Sequence, residues 1–279
     1  MQRNHYTDLK QASQEQLENS DSLLNSAVSS RQLEIRLSPR RTLRFLLFVI
    51  LGLNLVSLIG QWTQYFLPDY FLRDRLAGIF NVDAEKNIPA FYSMSTLLFC
   101  SILLATIAYA KKIARNRYVP YWGALSIIFL YLAWDEAFSI HEQIIEPLRS
   151  TLNTNSFFHF AWVIPGSILV LLCLLAFWGF LCILPKKTRR LFLVAGTIYV
   201  AGALGMEMIN GYYVSLYGQQ NMGYAILTTL EEFSEMVGIA VFIYALLSYM
   251  GLSMDLDLSI RILKDRKQGE EPGRLSNQL

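Results

Sequence analysis

Asp135, Glu136, His141 and Glu142 stand within eight residues of one another, directly after the apolar run Leu130-Tyr131-Leu132-Ala133-Trp134. Glu207 and the trio Glu231, Glu232 and Glu235 recur in two later apolar stretches, and His159 opens another. Carboxylates and imidazoles bind hard or borderline cations and move protons near neutral pH. Brought together, these nine side chains fit metal-assisted activation of water, or the uptake and release of cations or protons. The first chemistry is the leading expectation, as hydrolysis or transfer on a lipid or lipid-linked substrate. A cation- or proton-coupled transporter or channel is the alternative from a different class, and a structural or assembly protein stapled by its metal is a third.

In the leading reading Asp135, Glu142, Glu207, Glu231, Glu235 and His159 hold a divalent ion, while Glu136, Glu232 and His141 shuttle the proton. Mg, Ca, Mn or Fe suits a carboxylate-rich set, and Zn enters if both histidines bind. Only His5, His141 and His159 exist in the chain, so a three-histidine zinc site and histidine boxes are excluded. His141-Glu142 is followed by Gln143-Ile144-Ile145, so no HExxH is present. Glu136 and His141 are separated by four residues with no second copy, which does not meet the Glu-x-x-His repeat of di-iron bundles. A haem held between two histidines is a minor option in such acidic surroundings.

The elements that must carry these groups are membrane spans. The 279 residues are 53% hydrophobic and 16% charged, with mean hydropathy +0.33, too apolar for an ordinary soluble domain. Six segments are long enough to cross a hydrocarbon core of about 30 Å at about 1.5 Å per residue: 43–66, 90–110, 120–144, 158–184, 191–214 and 226–250. The predicted fold is an all-α polytopic bundle with a transmembrane domain over 39–252, a mostly disordered polar tail over 1–38 and a second tail over 253–279. Prolines mark most boundaries, and Pro165 alone falls inside a span, where a kink is expected. The stretch from Pro68 to Pro89 fits an interfacial helix or ordered loop. Cys100, Cys173 and Cys182 lie in apolar segments and act as small hydrophobes.

Charge gives the orientation. Arg40, Arg41 and Arg44, then Lys111, Lys112, Arg115 and Arg117, then Lys186, Lys187, Arg189 and Arg190 flank one side, and the last tail adds Arg261, Lys264, Arg266 and Lys267. By the positive-inside rule both termini are cytoplasmic, as in a bacterial inner membrane, and the basic groups serve topology, not nucleic-acid binding. The two tails also carry alternating stretches, 33–37 and 256–262, able to pair as short antiparallel strands.

With that topology Asp135, Glu207 and Glu231 fall at a common depth, about 10 Å inside the outer face. Helical phase puts Tyr131, Asp135, Ser139, Glu142 and Glu146 on one stripe, and Glu207 with Gly196, Ala203 and Gly211 on another. Asn54, Ser57, Gln61 and Gln64 give the first span a polar stripe that would form a fourth wall. His141 lies about 120° from Asp135 on an ideal helix, so it joins them only if the helix unwinds. None of the spans has an interior Lys or Arg, and a carboxylate at the middle of a span costs about 2.5–3.5 kcal/mol. Metal ions, shared protons or inward-folding Arg73, Arg75 and Arg149 remain as means of neutralisation.

Trp134-Asp135-Glu136-Ala137-Phe138-Ser139-Ile140-His141-Glu142 and Glu231-Glu232-Phe233-Ser234-Glu235-Met236-Val237-Gly238 resemble elements of uncharacterised multi-pass bacterial membrane proteins, with DExxxxHE in one span and EExxEMxG in a later one. The resemblance covers two of six spans. It implies that these two helices pair, and it brings no activity with it.

Overall fold

The computed structural model describes residues 34–36, 38–69, 71–154, 156–253 and 259–261. Two units separate. The terminal one holds a pair of three-residue strands, β1 (Glu34–Arg36) and β2 (Ser259–Arg261), in antiparallel register with Glu34 opposite Arg261. An isolated pair this short is marginal, and the architecture is helical. The disorder expected for the first tail falls mostly outside the described residues.

The other unit is the helical bundle. Helix α1 (Pro39–Phe66) begins on a proline and buries Leu46, Ile50, Asn54, Ser57 and Gln61, a stripe with spacings of three and four. Its polar stripe therefore faces protein, as the sequence requires, except that Gln64 sits at the rim and donates to Asp74 at 3.3 Å. Helix α2 (Arg73–Phe80) lies against α1, where a Cβ on Gly60 would stand 3.2 Å from the Ala77 Cα. The Pro68–Pro89 stretch is thus a short helix followed by a loop.

Helix α3 (Ile88–Ile113) is capped by Asn87, whose side chain accepts from the Ala90 N–H at 3.1 Å. It ends on Lys111 and Lys112, where cations complement the helix dipole. Helix α4 (Val119–Phe138) packs on it through reciprocal bonds, from the Ser101 hydroxyl to the Ser126 carbonyl and from the Ser126 hydroxyl to the Ser101 carbonyl. The expected span 120–144 stops at Phe138. The chain then turns by 66° into α5 (Ile140–Gln143) and α6 (Ile145–Leu152).

Helix α7 (Val163–Ile183) starts five residues later than expected and has Pro165 in its first turn, where a missing N–H leaves no bond unmade; the expected kink is not required. Helix α8 (Lys186–Val200), a π-helical turn over Ala201–Met206 and α9 (Glu207–Tyr217) run on as one 32-residue rod. Helix α10 (Met222–Ser253) is the axis of the bundle, in contact with α1, α3, α8, α9 and the π turn. It buries Met236, Ile239, Ala240, Ile243, Leu246 and Met250. At the end near the basic loops, Trp122 stacks on Tyr249 at 4.9 Å and meets Phe180 edge-on at 5.1 Å.

Among the described residues five helices are long and apolar enough to cross a membrane, and a sixth is counted if the bent pair Val119–Phe138 and Ile140–Leu152 is one span. The outer faces are apolar, with Leu171, Leu172 and Leu175 on α7 more than half exposed. In water such a belt would be a contiguous sticky surface, and against lipid it is matched. These features fit an integral membrane protein.

Candidate functional site

The site begins at the break after α4. Ser139 adopts the left-handed conformation (φ 51°, ψ 46°) and ends the helix by donating its N–H to the Asp135 carbonyl. A non-glycine residue there costs about 1–2 kcal/mol, so local bonds must hold it. They come from Asp135, whose Oδ1 accepts from the His141 backbone N–H at 2.9 Å and whose Oδ2 lies 2.8 Å from His141 Nδ1. The break thus rotates His141 through the angle that an unbroken helix forbids.

Asp135 commits one oxygen to each of these bonds, so it orients His141 instead of standing free as a cation ligand. The imidazole Nε2 makes no hydrogen bond among the described residues. The pair is partly buried, with 26% of the His141 side chain and 17% of the Asp135 side chain exposed. The break also dissolves the stripe drawn from Tyr131 to Glu146. Tyr131 and Glu142 are exposed, and Glu146 sits 3.4 Å from Arg149.

A second group of contacts joins α7, α9 and α10. Trp162, whose ring centroid is 4.9 Å from that of His141, donates its indole N–H to Glu207 Oε1 at 3.0 Å. Asn210 is 1% exposed and donates to Glu231 Oε2, while its own Oδ1 has no partner. The π turn explains how Glu207 and Glu231 come together. A Cβ on Gly202 would stand 2.9 Å from Glu235 Cγ and 3.0 Å from the Glu231 carbonyl oxygen, so this turn lies directly on the acidic face of α10. Further along, a Cβ on Gly238 would stand 2.8 Å from the Tyr199 nitrogen. Gly196, placed by helical phase on the Glu207 stripe, meets open space. Glu136, Glu232 and Glu235 are half-buried and make no hydrogen bonds among the described residues.

Sequence reasoning missed Asp83 and Glu85. Both sit in the α2–α3 loop, which is pinned by the Val82 N–H donating to the Ser57 hydroxyl at 3.0 Å and by the Asn87 amide donating to the Asn81 carbonyl at 2.6 Å. Tyr224 on α10 donates to Asp83 Oδ1 at 3.2 Å. Much of Asp83 is open to solvent, and its carboxyl is tied to α10 by this bond. Burial of that carboxyl, opposed by the Tyr224 bond and reinforced by Glu207, Glu142 and Glu85, pushes its pKa up to about 7. Burial beside Glu142 also raises the Glu85 pKa, the nearby Ser139 hydroxyl opposing the shift, and one Glu85 oxygen is buried without a partner. A loop has no helical phase, so the pattern reading gave these two acids only a charge and no direction.

His159 is turned elsewhere. Arg149 Nη1 lies 3.4 Å from its Nε2, and burial together with that guanidinium lowers its pKa. A cation occupies the lone pair that a metal would need. Arg73, for its part, pairs with Asp69 and, at 2.9 Å, with Asp74. Among the described residues no three His, Cys, Asp or Glu side chains converge as a ready-made cation site.

No curated protein and no solved structure matches the chain. The model of one protein family does, over residues 43–250, which takes in all the acids of the candidate site. The chain belongs to the family described as Domain of unknown function (DUF8692).

Proposed function

We propose that this is a membrane-embedded hydrolase or transferase acting on a lipid or lipid-linked substrate, with His141 as its general base and Asp135 as the group that orients it. The observation that carries the reading is the Asp135–His141 pair. A carboxylate that accepts a hydrogen bond from the Nδ1–H of an imidazole fixes its tautomer and leaves Nε2 basic. That free nitrogen sits beside Trp162 and among carboxyls, at the edge of an apolar bundle. In this proposal Nε2 takes a proton from water or a substrate hydroxyl, and Glu136 or Glu232 returns one to the leaving group.

A divalent ion belongs to the proposal as a neutraliser. Asp83, Glu85, Glu207, Glu231, Glu232 and Glu235 bring negative charge into one neighbourhood with His141 as its ionisable base. The donor set is hard, so Mg, Ca, Mn or Fe fits better than Zn. Glu207, Glu231 and Glu235, with Glu142 from α5, would close on the ion; it would supply Lewis acidity and charge neutralisation. The site would face the side opposite the basic loops, with both termini cytoplasmic.

One observation favours the second reading, a cation- or proton-coupled transporter. Glu207 and Glu231 approach each other and Asn210 with no positive group between them, an arrangement suited to sharing a proton. Elemental analysis of the purified protein beside Glu231→Gln and Glu235→Gln, followed by lipid-turnover and sealed-vesicle flux assays on the parent and His141→Gln, separates the readings. Turnover lost in His141→Gln supports the enzyme. Flux without turnover, lost in Glu231→Gln, replaces it with the transporter.

A further inference from the structure

Beside the acidic region, a groove of about 560 Å³ lies between the α2 helix and the start of α3, lined by Arg75, Ile79, Glu85, Lys86, Ile88 and Phe91 among others. Its volume is in the range that holds a small ligand or a headgroup. We infer that this groove binds a phospholipid, with Arg75 and Lys86 on the phosphate and an acyl chain laid along Ile88 and Phe91.

Charge and position both point to that occupant. Asp74 at the rim is already matched, by Arg73 at 2.9 Å and Gln64 at 3.3 Å. Arg75 and Lys86 make no ion pair among the described residues, so two cations face the groove uncommitted. Lys86 is held in the left-handed region (φ 58°), a conformation that persists only where its surroundings impose it. The two cations come from different elements, one from α2 and one from the loop, and they flank the end of a spanning helix.

That helix end is the level at which headgroups lie. Ile88 and Phe91, one turn apart on α3, are 44% and 66% exposed, and they continue the groove onto the lipid-facing side of the span. A soluble phosphate would satisfy the cations but would leave this apolar wall wet. A phospholipid satisfies both.

The inference rests on the proposed function for its consequence, since it names the substrate class. Glu85 lines the groove, with Glu142, Asp135 and His141 among its charged neighbours. A headgroup held by Arg75 and Lys86 would therefore lie on the side of the bundle that carries the Asp135–His141 pair.

The test is binding of dihexanoyl phosphatidylglycerol and of sn-glycerol 3-phosphate to the full chain in an uncharged maltoside detergent, by titration calorimetry. The lipid should bind, Arg75→Gln and Lys86→Gln should each weaken it by about tenfold, the worth of one charge-assisted bond at a half-exposed site, and added salt should weaken it further. Phe91→Ala should weaken the lipid and leave any glycerol phosphate binding unchanged. Arg75→Lys and Lys86→Arg keep the charge and should bind within about twofold of the parent, which separates lost recognition from lost folding. Parent-like lipid affinity in the Arg75→Gln, Lys86→Gln double variant overturns the inference. So does equal affinity for glycerol phosphate, which would make this a free-phosphate site. Binding that follows these variants without any turnover leaves the lipid site standing and removes the enzyme reading alone.

Discussion

Breaking the Asp135–His141 pair gives the sharpest measurement. The carboxylate makes two charge-assisted bonds, at 2.9 Å to a backbone N–H and 2.8 Å to the ring. Bonds to charged groups are worth about 1.5–3 kcal/mol each. Partial exposure of the two side chains, 26% and 17%, lowers that towards the bottom of the range. Asp135→Asn retains an acceptor for the backbone N–H and loses the charge facing Nδ1, so it should cost about 2 kcal/mol. His141→Gln should cost a similar amount. The double variant should cost less than the sum, with a coupling of about 1.5 kcal/mol.

Graded SDS unfolding in mixed micelles of the parent, both single variants and the double variant gives that coupling directly. A thermal scan should move in parallel, by about 2–4 °C for each kcal/mol at this size. Strict additivity, within about 0.5 kcal/mol, would refute the reasoning, because it would mean that the two side chains do not hold the helix break together. The same variants test the mechanism, since an imidazole freed from Asp135 should lose turnover through kcat more than through KM.

Other consequences are equally concrete. Gly238→Ala should destabilise by about 1–3 kcal/mol, because the new methyl group meets the Tyr199 nitrogen at 2.8 Å and the Ala195 carbonyl at 3.0 Å; Gly196→Ala, with open space, should be neutral or stabilising by up to about 1 kcal/mol, as SDS unfolding would show. Asp83 binds its proton more tightly folded than unfolded, so its contribution to stability is complete below pH 3.8 and is lost as pH rises through about 7. Melting temperature should therefore fall over that window, and Asp83→Asn should flatten the fall. In inverted bacterial membrane vesicles, which turn the cytoplasmic side outward, an impermeant maleimide should label exposed Cys182, beside the basic stretch 186–190, and spare buried Cys100. Labelling of Cys182 only from the opposite side would reverse the assigned orientation.

Much of the bundle follows from short-range pattern. A run of about 20 apolar residues must satisfy its backbone internally in lipid whatever surrounds it, so the long helices can be placed from hydropathy alone. The stripe Asn54, Ser57 and Gln61 can be placed by phase, and it is buried. Errors collect where a helix stops being ideal. Nothing about a serine announces a left-handed residue, and Ser139 ends α4 six residues before the apolar pattern does. Gly196, Ala203 and Glu207 share one stripe on an ideal helix, yet Gly196 meets open space and Gly202 lies on the acidic face of α10, because the π helix between Ala201 and Met206 shifts the phase of the rod beyond it.

The amino-acid order by itself determined that this protein belongs in a membrane and that its unusual groups are carboxylates without lysine or arginine beside them in the spans. Both follow from composition summed over local windows. What each acid touches was decided only by the fold: His141 on Asp135, Trp162 on Glu207, Asn210 on Glu231, and the loop acids Asp83 and Glu85 beside them. His159, equal to His141 in sequence, is turned instead to Arg149. The reason is physical. A side chain's direction depends on every backbone angle before it, so one left-handed residue or one wide turn redirects what periodicity would place.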